Sequence, residues 1–152
     1  MYTMVPWFWS HRQSVTIPIV KGFLEKLPKG KIGVAGFCWG GRYALLAGQK
    51  SSADELLVDA VFTGHPSMVS IPADINELRV PASIAVASTD SVYSPKMAKD
   101  TEKLWKDKDV KTEIVIYEGA MHGFCVRGNM NDPQEKEHMQ QAVEQVIKLC
   151  IC

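Results

Sequence analysis

Cys38, Asp90 and His122 are the residues of this chain whose types and spacing suit nucleophilic chemistry. Cys38 lies in Gly36-Phe37-Cys38-Trp39-Gly40-Gly41, where flanking glycines fit a tight strand-to-helix turn that leaves no room for a Cβ beside the central residue. Such a turn puts the sulfur at a helix N-terminus, where the dipole and free N–H groups favour thiolate over thiol. His122 sits among small residues in Gly119-Ala120-Met121-His122-Gly123; its imidazole can take a thiol proton or hold the thiolate as an ion pair. Asp90, in Ala87-Ser88-Thr89-Asp90-Ser91, can orient that ring. Each residue alone also has a plainer reading: an inert thiol in a turn, a loop histidine bonded to a carbonyl, an aspartate closing a turn.

The elements that must position these three follow from periodicity and turn residues. Thr16 is expected to cap a helix with the apolar stripe Ile17, Val20, Phe23, Leu24 and Leu27, stopped by Pro28. Short apolar runs predict strands at residues 31–35, 59–63, 82–88 and 113–117. Between them, helices are expected at 41–48 and from Ser94-Pro95 to Lys106. After a glycine-rich loop, Asp132-Pro133-Gln134-Glu135 reads as cap, first-turn proline and capping-box glutamate. The helix it opens is expected to bury Met139, Ala142, Val143, Val146, Ile147 and Cys150. Strands alternating with helices pair in parallel through right-handed crossovers, so the fold class is α/β, a mostly parallel sheet with flanking helices. In such sheets the site lies beyond the carboxyl ends of the strands. Cys38, Asp90 and His122 all follow predicted strand ends.

Composition bounds the partners. With 152 residues, 46% of them apolar and 22% charged, the chain reads as one domain over 1–152. Lysine plus arginine equal aspartate plus glutamate at 17 each, so no excess charge draws nucleic acid or an anionic membrane. The aromatic start Trp7-Phe8-Trp9 has neither the length of a membrane span nor a cleavage pattern. Cys38, Cys125, Cys150 and Cys152 form no C-x-x-C pair, which points to a reduced, cytoplasmic setting and to no structural metal. No cofactor is expected.

Nucleophile, then acid, then histidine is the chain order of α/β-hydrolases, which unrelated triad proteases do not share. The GFCWGG turn, the aspartate after the next-but-one strand and YEGAMHGF resemble the dienelactone hydrolase family, in which cysteine stands where most relatives have serine. His65-Pro66-Ser67 and the block His122 to Gly128 are similar to its fungal branch, and the likeness runs from about Trp9 to the last helix. The resemblance implies hydrolysis of a lactone or small activated ester, with Cys38 attacking the carbonyl, His122 shuttling the proton and activating water, and Asp90 orienting the ring. It gives Trp39 as an oxyanion N–H donor. His65 is a candidate for the pocket wall, with a structural role at a strand end as its alternative. Arg127 is a candidate partner for a substrate carboxylate, because guanidinium forks match that geometry.

Members of that family begin with several strands and helices that have no counterpart here, because this sequence starts just before the helix that leads into the strand at 31–35, so it reads as the C-terminal portion of the α/β-hydrolase fold. Two expectations follow. The second oxyanion donor, which comes from an early loop in this fold, is missing, at a cost on the order of 10²–10³ in turnover. The strand at 31–35 has an unpaired apolar edge, which favours a homo-oligomer. Alternative readings are a weakly active or inactive partner-binding remnant, and a cyclase, isomerase or thioesterase of a natural-product pathway, since fold and triad do not fix the reaction.

Overall fold

The computed structural model describes residues 4–50 and 54–151. They fall into two compact units, Met1–Gly30 and Lys31–Cys152, where the composition reads as a single domain. The first unit holds α1 (Met4–Ser10) and α2 (Gln13–Leu24). The aromatic start is therefore helical, with Trp7 stacked on His11 at 4.6 Å between ring centroids. Helix α2 begins three residues before the expected cap: Arg12 occupies that position with no side-chain capping bond, and Thr16 lies inside the helix, its hydroxyl donating to the His11 carbonyl at 3.1 Å.

The second unit carries β1 (Gly33–Phe37), α3 (Trp39–Ala47), β2 (Ala60–Gly64), β3 (Ala82–Ala87), α4 (Pro95–Trp105), β4 (Thr112–Tyr117), α5 (Phe124–Arg127) and α6 (Pro133–Ile151). The four strands form one parallel sheet in the order β1-β2-β3-β4. Their β-branched and small apolar residues suit burial on both faces; β3 is buried at every position. Phe62, Ala85, Ala87 and Tyr117 pack with Ala142 of α6, Phe124 and Cys125 into a core on one face. Helix α3 lies on the face of β2 that carries Val61 and Thr63, giving the layered architecture the alternating pattern predicts.

Helix ends show how local chemistry places the elements. Ser94 caps α4, its Oγ accepting from Met97 N–H. Asp132 caps α6 through Oδ1, which accepts from both Gln134 and Glu135 N–H at 2.9 Å. Glu135 does not close the expected capping box, because its carboxylate accepts from Asn129 N–H at 2.6 Å. The buried face of α6 is also rotated from expectation. Ala142 and Gln145 are buried, whereas Val143 and Ile147 are exposed. Gln145 is drawn inward because it accepts from Tyr117 Oη at 2.7 Å and donates to Ser83 Oγ at 2.7 Å, which offsets the cost of burying an amide. The short α5 stands where a glycine-rich loop is expected. No described helix is long and apolar enough to cross a membrane.

Candidate active site

The site forms where hydrogen bonding continues past the ends of the strands. Cys38 N–H donates to the Gly64 carbonyl at 3.1 Å, and His65 N–H to the Ala85 carbonyl at 2.8 Å. Ser88 N–H donates to Tyr117 O, and Thr89 reaches Ala120 O through both its N–H and its hydroxyl. Each bond extends the parallel register by a residue or two. The loops after all four strands are thereby gathered at one end of the sheet.

Cys38 occupies the residue before α3 with φ 51° and ψ −120°, a backbone strain that is kept only where surrounding structure holds it. Gly36 makes the turn achievable. A Cβ at that position would lie 2.8 Å from Ala44 Cβ and would collide with the Gly40 carbonyl. His122 Nε2 stands 3.2 Å from Cys38 Sγ, and its Nδ1 stands 2.7 Å from Asp90 Oδ2. Asp90 is almost wholly buried, and its other oxygen accepts from Val92 N–H at 2.7 Å. The aspartate therefore closes the turn into α4 with one oxygen and meets the imidazole with the other.

Burial pushes the Cys38 thiol up, but hydrogen bonds from His122, Ser67 and the Trp39 N–H outweigh it and hold the thiol below its ordinary value. Burial pushes His122 down, and its bonds to Cys38 and Asp90 more than reverse this, leaving it above the usual histidine value. Both shifts favour a thiolate–imidazolium pair. Cys125 behaves oppositely: burial pushes it up to about 12, which disfavours the thiolate. Cys150 is exposed on α6, and Cys152 lies outside the described residues.

The remaining candidates are placed as follows. Trp39 directs its backbone N–H at the Cys38 sulfur, while its ring packs on Tyr43 at 4.7 Å. His65 is completely buried and meets the His122 ring edge-on at 5.0 Å, so it underlies the histidine and does not form an open pocket wall. Burial and the neighbouring His122 charge lower it to about 4. Arg127 is exposed and folds its guanidinium over Gly123. Glycine suits this position because φ is 99°, a backbone conformation that strains other residues. His138 is half-buried, edge-on to Tyr117 and Phe124. Ser67 had no role assigned from sequence, yet its Oγ lies 3.7 Å from Cys38 Sγ; its place at the end of a strand beside His65 is the signal that could have marked it. Among the described residues, no three histidine, cysteine or acidic side chains gather where they could hold a metal ion.

Known proteins resemble this chain in sequence and in fold. The chain is 28% identical to a hydrolase of Aspergillus violaceofuscus over 96% of its own length and 59% of the relative's. It is 25% identical to dienlactone hydrolase 1 of Gibberella moniliformis, over 76% of this chain and 44% of that one. It thus spans about half the length of the curated relatives it matches. Among solved structures, a dienelactone hydrolase-like promiscuous phosphotriesterase from metagenomic libraries superposes with a TM-score of 0.64 at 13% identity, over 97% of this chain and 66% of that one. A thermophilic esterase of Thermogutta terrifontis gives 0.59 at 15% identity, over 77% and 56%. These likenesses show an α/β-hydrolase fold. The profile of the dienelactone hydrolase family matches residues 13–150, nearly the whole sequence, and the chain belongs to that family.

Proposed function

We propose that this protein hydrolyses a lactone or small activated ester with Cys38 as nucleophile, His122 as acid and base, and Asp90 as the carboxylate behind the histidine. The observation that carries the reading is His122 bridging Cys38 Sγ at 3.2 Å and Asp90 Oδ2 at 2.7 Å. The thiolate attacks the carbonyl carbon, forming a C–S bond and an oxyanion that the Trp39 N–H would meet on turning from the sulfur. Collapse breaks the ester C–O bond, and the leaving oxygen takes the proton from the His122 imidazolium. His122 then removes a proton from water, which attacks the thioester, and the second collapse returns the thiolate. Arg127 would hold a substrate carboxylate beside the histidine, and His65 would support the site from beneath. A cytosolic setting remains our reading from the cysteine usage.

The test is turnover of p-nitrophenyl acetate and a small unsaturated lactone by the purified chain, compared with Cys38→Ala and His122→Ala. Both variants should lose activity. Full activity in a folded Cys38→Ala variant would overturn the assignment. One observation favours a second reading, a partner-binding or self-associating chain: no described strand pairs with the outer edge of β1. Turnover that vanishes in His122→Ala excludes an inactive form of that reading.

A further inference from the structure

Ser67 is a polar side chain at the reacting sulfur that the proposed reaction does not use. Its Oγ stands 3.7 Å from Cys38 Sγ, and its N–H donates to the Cys38 carbonyl at 2.9 Å. The loop that carries it is tied down on both sides. Pro66 before it is fully buried. After it, Asp74 accepts the Ser70 N–H at 2.7 Å while Arg42 of α3 forks onto the same carboxylate at 2.7 and 3.2 Å. Arg42 lies in the helix that opens directly after Cys38, so Ser67 is referred to the nucleophile's own element. Its hydroxyl keeps its place while retaining enough exposure to rotate toward the sulfur.

Building on the cysteine-nucleophile reading, we infer that the Ser67 hydroxyl is a donor that holds the Cys38 thiolate in the resting protein. A half-buried thiolate needs donors to replace lost water, and hydrogen bonds to a charged acceptor are shorter and stronger than those to a neutral one. O–H···S contact therefore tightens when Cys38 ionises and relaxes when the sulfur is acylated. The other groups around the thiolate are the Trp39 N–H, His122 from the loop after β4, Asp90 behind it, His65 against its ring, and Arg127 over Gly123. His122 is ionisable and, despite burial, is held above its ordinary value by its bonds to Cys38 and Asp90. The Ser67 hydroxyl does not ionise, so its removal should displace the thiol titration bodily, whereas removal of His122 should change its shape.

The experiment is the pH dependence of iodoacetamide alkylation at Cys38, located by peptide mass spectrometry, in the wild-type chain and in Ser67→Val, Ser67→Thr, Ser67→Ala and His122→Ala. Valine and threonine have one shape and differ in the hydroxyl, so a packing change alone cannot separate them. Ser67→Val and Ser67→Ala should raise the apparent thiol pKa by roughly half to one pH unit, about three- to tenfold less alkylation on the acid side. Ser67→Thr should retain the wild-type profile. Superimposed valine and threonine profiles, with His122→Ala still displaced, would overturn the role of Ser67 and leave the nucleophile standing. An ordinary thiol titration in the wild type, unmoved by His122→Ala, would overturn both.

Discussion

Asp90 divides its two oxygens between a turn and an imidazole, which makes its amide a discriminating substitution. Asn can keep the turn but cannot stabilise an imidazolium. Asp90→Asn is expected to leave stability near wild type and to lower kcat/KM by roughly 10²–10⁴; steady-state ester hydrolysis beside urea unfolding separates the two effects. His65 carries a different cost. Both ring nitrogens are buried without a hydrogen-bond partner among the described residues, and the group is lowered to about 4. The native state thus keeps it neutral where the unfolded chain, with an ordinary value near 6.5, takes a proton. Stability is therefore full above about pH 6.5 and falls as pH drops toward 4, by about 2 kcal/mol between pH 7.5 and 5 from this residue. Urea midpoints at those two values should converge in His65→Phe; an undiminished acid loss there would contradict the assignment. Motif and chain order single out Cys38, Asp90 and His122 as candidates, and the fold brings His122 within hydrogen-bond reach of both Cys38 and Asp90. Ser67 is marked in the sequence only by its place after a strand end beside His65; what it faces across the sheet end is decided by the fold.

At the scale of elements, the strand-to-helix turn at Cys38 is tightly constrained. Gly36→Ala would force a Cβ against Ala44 and the Gly40 backbone, and backbone cannot yield as a side-chain tip can. The expected cost is about 1–3 kcal/mol or more, read as a lower urea midpoint with unchanged slope; an unchanged midpoint would show that the turn relaxes. Strand positions were readable to within two residues, since a short apolar run between breakers can do little else in an alternating α/β chain. The face of α6 was not. Its three-and-four pattern permits more than one rotation, and the bonds from Gln145 to Tyr117 and Ser83 select the one that turns Val143 and Ile147 outward. Helix α5 was missed because four residues between glycines carry no periodicity.

For the whole molecule, the outer side of β1 lacks a described strand partner, and Val143, Ile147 and Ile151 form an exposed apolar line along α6 at 55%, 50% and 78% exposure. Unpaired strand edges and apolar lines favour association. The chain as given is expected to elute as a dimer or larger species in size exclusion with light scattering at micromolar concentration. A sharp monomer peak with native circular dichroism would refute this.

The sequence by itself determined the fold class, the alternation of strands and helices, and which residues could do chemistry, because those depend on residue type, spacing and chain order. Tertiary structure decided what touches what. The 2.7 and 3.2 Å contacts of His122, the burial of His65 beneath it and the approach of Ser67 to Cys38 all arise between residues distant in the chain. Strand register brings them together, and no local preference encodes that register.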